Sequence, residues 1–339
     1  MECAQQGRFR FLTWETDCVA GERGTTPAPR AASVTGVAGH VLAVGGVNLD
    51  TLARVAGAET DPGTSNPGRT SRTAGGVARN VTENLARLGT PVRLVSCVGS
   101  DAVGSSLLEE LDSLGVDVSL VRRAALPTGS YTAVLDHAGD LVIGIADMAA
   151  VESLSPADVD ERAFVGAAFV IVDGNLLPDT VAHCLTLAER AGVPVALDPV
   201  GVAKAQRLVV DKPVHTFTPN REELAAFTGT TDVDKAVAVC HDRGIGTIWL
   251  REGVAGSTVF GAGERFRVHL PPAEAVDVTG AGDAMLAGYV HRLLADGSVD
   301  EAVRFGAAAA WLTVGSSYTV RPDLTADLVQ QTLDGLEER

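Results

Sequence analysis

No stretch of this 339-residue chain approaches 18 consecutive apolar residues, so no membrane-spanning helix is expected. Positive charge is scarce: 27 Lys and Arg stand against 43 Asp and Glu, leaving a net charge of −16 that argues against non-specific binding to nucleic acid or to anionic membranes. Cysteine is sparse and scattered, at Cys3, Cys18, Cys97, Cys184 and Cys240, odd in number and without a C-x-x-C spacing. That pattern suits reduced, buried thiols in a cytoplasmic protein better than a disulfide framework or a zinc site. A Walker-type G-x-x-x-x-G-K-[ST] loop is absent, and Met285 occupies the third glycine position of the nearest dinucleotide-type fingerprint. Any nucleotide phosphate must be held by another device. Residues 1–38, rich in Arg, Thr, Pro and Ala without periodicity, lack the basic and apolar regions of a secretory signal and read as an extension outside the folded part.

What is present is the heptapeptide Asp277-Val278-Thr279-Gly280-Ala281-Gly282-Asp283, followed by Leu286, Tyr289, Val290, Leu293 and Leu294 at helical spacing and Gly297 as a stop. A glycine turn feeding a helix N-terminus gathers unpaired N–H groups and the positive end of the macrodipole, which suits an anion. A carboxylate at Asp283 beside such a place makes chemical sense if it takes a proton from a hydroxyl attacking a phosphoryl group. The alternative is a capping Asp after a tight turn.

The folded part opens with an apolar run at 41–47 that exits into Asn48-Leu49-Asp50, two polar side chains expected at the carboxyl edge of a sheet, or else an Asx turn. Residues 61–76 read as a Gly/Pro/Ser/Thr loop ending in Gly75-Gly76, and a helix follows with Val77, Val81, Leu85 and Leu88 on one face and Asn80 in its first turn. Next come a strand at 92–98, a helix at 105–114 and a hairpin of 130–136 with 141–147. Strands at 169–172, 193–197, 214–217 and 247–250 then alternate with helices at 179–191, 221–228 and 233–243. This rhythm predicts an α/β protein, a three-layer αβα domain over residues 39–339 with a mostly parallel central sheet and a small β insertion.

Taken in order, Asn48-Leu49-Asp50, Gly75-Gly76 with Asn80, Asn220-Arg221-Glu222-Glu223, Gly253-Val254-Ala255-Gly256 and Asp277 to Asp283 resemble the motifs of the ribokinase-like (PfkB) family of carbohydrate and nucleoside kinases, over about residues 40–322. The segments 64–68, 75–89, 173–176 and 198–205 are similar to those of its pseudouridine-phosphorylating members, although Ala78 stands where relatives commonly have Gly and Val278 where many have Thr. The resemblance implies a ribokinase-like fold, with a lid from about 49–56 and 130–147, and transfer of the γ-phosphoryl group of ATP to the 5′-hydroxyl of pseudouridine. Another nucleoside, free ribose, or a non-catalytic nucleoside-binding regulator are the alternatives.

On that resemblance Asp283 is the base, the amides of Gly280, Ala281 and Gly282 take the phosphoryl charge, and Asn48, Asp50, Gly75, Gly76 and Asn80 hold the ribose. Asn220 and Glu223 order Mg²⁺ through its waters, or simply form a capping box. Arg251, Gly253, Gly256 and Thr279 lie on the ATP side, and K⁺ sits near Asp277 and Thr279. A homodimer through the lid is expected, because lid strands have free edges. Tyr131 is expected to pack within the lid and His137 to be a solvated turn residue.

Overall fold

The computed structural model describes residues 39–57, 60–61, 63–261, 263–271 and 278–337, and fourteen strands lie among the described residues. They are β1 (His40–Val44), β2 (Asn48–Val55), β3 (Gly68–Gly75), β4 (Val92–Val95), β5 (Cys97–Gly99), β6 (Arg122–Ala124), β7 (Gly129–Leu135), β8 (Leu141–Asp147), β9 (Ala167–Asp173), β10 (Val195–Asp198), β11 (Val214–Phe217), β12 (Ile245–Arg251), β13 (Ser257–Phe260) and β14 (Arg265–Val268). Eight form the central sheet, in the order β14-β13-β12-β11-β10-β9-β1-β4. Its pairings are parallel from β4 across to β12, and antiparallel for β13 and β14. Parallel strands covered by helices on both faces need apolar side chains on both faces, and β1 meets that need. Val41 and Ala43 belong to the same buried cluster as Val81, Leu85, Leu286 and Val290 on one face, and Leu42 and Val44 to the same cluster as Val181, Leu185, Leu224 and Val237 on the other.

The insertion is a second sheet of order β3-β2-β7-β8. Here the structure corrects two expectations. Asn48-Leu49-Asp50 is not a loop leaving the first strand: β1 ends at Val44, and Asn48 opens β2. The polar stretch expected as loop up to Gly76 contains β3, paired antiparallel with β2 residue for residue from Asn48↔Gly75 to Val55↔Gly68. Its run of Arg, Thr and Ser has no apolar alternation because most of the strand faces water; backbone pairing with β2 holds that part, while Ala74 packs on the core. The strand expected at 92–98 breaks at Ser96, whose hydroxyl donates to the Gly45 carbonyl at 2.6 Å. The helix expected from 105 begins at Ala102, because Asp101 caps it by accepting from the Gly104 amide at 2.8 Å. Cys97, Cys184 and Cys240 are all buried, and burial pushes the Cys184 and Cys240 thiols up to about 12. Cys3, Cys18 and the whole of residues 1–38 lie outside the described residues, as does Asp277.

Candidate active site

Helix Ala281–Leu294 starts at Gly280, whose φ of +78° is natural to glycine, and a Cβ there would run into the carbonyl of Thr319. Of the three amides expected to face an anion, that of Ala281 donates to the Val278 carbonyl at 3.3 Å. Gly282 and Asp283 are in the helix's first turn, where no intrahelical acceptor precedes their N–H groups. Thr279 immediately precedes this turn. The Asp283 side chain is buried, and Asn80 donates to its Oδ2 through Nδ2 at 2.8 Å. Burial, with Asp198 and Asp173 adding to it, pushes the Asp283 carboxyl up to about 8 against the opposing effects of Asn80 and Arg251. A carboxyl so placed is able to accept a proton, and the turn before it offers amides that suit an anion.

Asn80 comes from helix Val77–Arg87, which starts at Gly76 with a φ of +99°; a Cβ there would strike the Gly46 carbonyl and crowd the Asn48 side chain. Two residues into β2, Asp50 Oδ1 accepts from Asn48 Nδ2 at 2.5 Å. Gly75 lies opposite Asn48 in the register, and its missing side chain leaves the space that the Asp50 carboxylate fills. Burial pushes Asp50 up to about 6, against the Asn48 donor and the charge of Arg79. Asn48, Asp50, Gly75 and Gly76 are therefore in contact as one group, the first three carried on the second sheet, and the Asn80 amide joins it by donating to the Gly76 carbonyl at 2.8 Å. Asn80, expected on the acceptor hydroxyls, is held on Asp283 in this structure. Tyr131 lies across Gly144 on the second sheet, and His137 is exposed in the β7–β8 turn.

On the other side of Gly282 sits Arg251, at the end of β12; a Cβ at 282 would collide with its guanidinium. Arg251 pairs with Glu223 at 3.0 Å and with Asp198 at 3.7 Å. Asn220 and Glu223 form the capping box of helix Arg221–Thr228: each side chain accepts from the other's amide at 2.8 Å. Among the described residues no group of three or more His, Cys, Asp or Glu side chains converges as a metal cage. Two buried carboxylates, Glu223 and Asp198, beside an anion turn fit a divalent cation that keeps its waters. Gly253 and Gly256 form the turn from β12 to β13, and Glu252 beside them accepts from Thr258 Oγ1 at 2.7 Å.

Sequence reasoning gave no site role to the carboxylates that end β9 and β10. Asp173 and Asp198 are register partners at the carboxyl edge, both buried. Asp173 Oδ2 accepts from the amides of Gly46 and Ala78 at 2.8 and 2.9 Å, and its Oδ1 from Asn175 at 2.9 Å. Lys204 reaches Asn175 Oδ1 from helix Val202–Arg207, which follows β10. The available signal was a lone carboxylate ending each apolar run.

The sequence profile of pfkB family carbohydrate kinases matches residues 38–326. This chain belongs to that family. Like other pfkB family members it is a phosphotransferase acting on a hydroxyl group. It is 33% identical to the pseudouridine kinase of Escherichia coli strain K12, over 88% of this chain and 97% of that protein. A solved carbohydrate kinase from Agrobacterium tumefaciens superimposes with a TM-score of 0.75 at 32% identity, covering 88% of this chain and 97% of the other. Arabidopsis thaliana ribokinase, solved with ribose and ATP, gives a TM-score of 0.75 at 27% identity over 88% and 99% of the two chains. These neighbours share the expected ribokinase fold. No helix among the described residues is long and apolar enough to cross a membrane.

Proposed function

We propose that this pfkB-family kinase transfers the γ-phosphoryl group of ATP to the 5′-hydroxyl of pseudouridine. The observation that carries the phosphoryl-transfer chemistry is the 2.8 Å bond from Asn80 to Asp283, which ties the acceptor side of the cleft to the glycine turn. The acceptor assignment is supported by the similarity to the E. coli pseudouridine kinase along nearly its whole length. Asp283 takes the hydroxyl proton, the helix-start amides of Gly280 and Gly282 and the Arg251 guanidinium meet the phosphoryl charge, and Asn48, Asp50 and Asn80 orient the sugar. Mg²⁺, when bound, supplies positive charge beside the phosphates, with Asn220 and Glu223 holding it through its waters. Gly253 and Gly256 line the adenine side, and K⁺ near Thr279 belongs to the same reading.

The test is an ATP-consumption assay, with Mg²⁺ and with or without K⁺, across pseudouridine, uridine, cytidine, adenosine, inosine and ribose, with the product mass measured. Strong preference for pseudouridine with a monophosphate product supports the reading. Preference for ribose, the sugar bound in the Arabidopsis structure, keeps the chemistry and discards the acceptor. No turnover with any of them, together with a thermal shift on adding nucleoside, identifies a binding protein instead.

The base must be ionised, so activity is lost as pH falls through its pKa. With Asp283 pushed up to about 8 and Asp50 to about 6, kcat/KM for the acceptor is expected to rise between pH 6 and 8 and to level off above. A pH–rate profile already flat from pH 5 overturns that assignment.

The second copy of the chain belongs to this proposal too. β8 is an edge strand of the lid, and Leu141, Val142, Ile143 and Ile145 on it are each more than half exposed. Side chains of that kind along an open edge fit pairing with another lid. Ile143→Lys with Ile145→Lys is expected to weaken dimerisation by about 10²-fold or more, from the loss of buried apolar area and the added like charges. Sedimentation equilibrium decides it; a wild-type monomer at micromolar concentration sinks the dimer.

A further inference from the structure

Arg79 has almost no exposure, at 5%, on a helix face where an aliphatic residue would pack without desolvating a charge. Its surroundings compensate that charge in a definite pattern. Nη2 pairs with Glu83 one turn on at 2.6 Å, and more loosely with Glu110 of helix Ala102–Ser113 at 3.5 Å. Glu83 is shared with Arg87, again at 2.6 Å. Nη1 donates to Asn80 Oδ1 at 3.2 Å, and Asn80 Nδ2 donates to Asp283 at 2.8 Å.

An asparagine amide can sit in two orientations related by a half-turn, presenting either its oxygen or its NH₂ to a given neighbour. Arginine has donors only. With Nη1 on Oδ1, the NH₂ is left facing Asp283, where it can meet a carboxylate. The opposite orientation would set two donors against each other at one end and two acceptors at the other. We propose that Arg79 is a positioning residue for Asp283: held by Glu83, it fixes the Asn80 amide so that the amide donates to the base. The inference rests on the phosphotransfer role of Asp283 proposed above.

The charged groups around this chain of contacts come from several elements. Asp283 is faced by Asp198 from β10, Arg251 from β12 and Asp173 from β9; Arg79 is faced by Glu83, Arg87, Glu110 and Asp283, and by Asp50 from β2. Removing Arg79 takes away a nearby positive charge and frees the amide to turn, and both changes favour the protonated form of Asp283.

The experiment is Arg79→Met, assayed from pH 5.5 to 9.5 with whichever acceptor the wild-type chain turns over. Expected are a fall in kcat of about 10-fold, an acceptor KM within about 3-fold of wild type, and an acid limb displaced to higher pH. Arg79→Lys, which keeps a charge and a donor, is expected to recover part of the rate and part of the displacement. Should Arg79→Met fail to fold because Glu83 is left half-paired, the double variant with Glu83→Gln removes that charge as well and is read in the same way. A folded variant with the wild-type kcat and the wild-type acid limb, its loss confined to thermal stability, overturns the proposal. If the wild-type chain phosphorylates no acceptor, the kinase reading itself falls, and carbon-13 titration of Asp283 still decides the relay. An upward displacement in Arg79→Met supports it, and coincident titration curves refute it.

Discussion

Asp283→Asn is expected to bind nucleoside within about 3-fold of the wild-type affinity and to lose at least ~10²-fold in kcat. The substitution keeps the shape of the side chain and its place in the first turn of helix Ala281–Leu294. It removes a group in the first turn whose burial already favours holding a proton, and an amide cannot accept one. Because Asn80 donates to Asp283 Oδ2, the variant amide can still turn its own oxygen toward Asn80, so the cleft need not rearrange. Isothermal titration with pseudouridine and single-turnover kinetics with ATP separate the two effects. A variant within about 3-fold of the wild-type rate removes Asp283 from the role of base.

The second large effect falls on stability. Asp173 is fully buried and serves three backbone donors, joining the chain after β1 at Gly46, the first turn of helix Val77–Arg87 at Ala78, and its own turn at Asn175. Asp173→Ala leaves those donors without an acceptor in a site closed to water. Each stranded donor costs about 1–3 kcal/mol, partly offset because a desolvated carboxylate is no longer buried, so a net loss of roughly 3–5 kcal/mol is expected. Denaturant melts should show it as a fall in midpoint at unchanged slope. A loss under about 1 kcal/mol would mean that water enters and takes over the three bonds. Asp173→Asn, which keeps one acceptor oxygen, should fall between.

The parallel body of the fold was legible because burial on both faces writes long apolar runs, as in Phe169 to Val172 and Val195 to Leu197. The helix from 77 was legible for a related reason: Val81, Leu85 and Leu88 are buried on one side, and Gly89 closes it with a φ of +85°. β3 was not legible, since a strand whose side chains mostly meet water carries no period-2 signal and is specified by its partner β2. The anion turn could be found because glycine spacing before a helix is a local property. The contacts that complete the site are not local: Asn80 and Asp283 are 203 residues apart, and Gly46 and Asp173 are 127 apart. Arg79 hid for another reason. One turn before a glutamate on a helix, it reads as a solvated i,i+4 pair, and only tertiary packing shows that the pair is inside the protein.

Asn48 and Asp50 ride on β2, a strand of the second sheet that the proposal reads as a lid, whereas Asp283 belongs to the αβα body. Half of the proposed sugar clamp is therefore attached to the cover and half to the vessel. Lifting the cover would carry the Asp50 carboxylate away from the base, so the geometry that aligns a hydroxyl for attack would exist only while the cleft is shut. A stray water in an open cleft would then meet a proton acceptor without the aligning partner, and futile hydrolysis of ATP would be slow for want of a second wall.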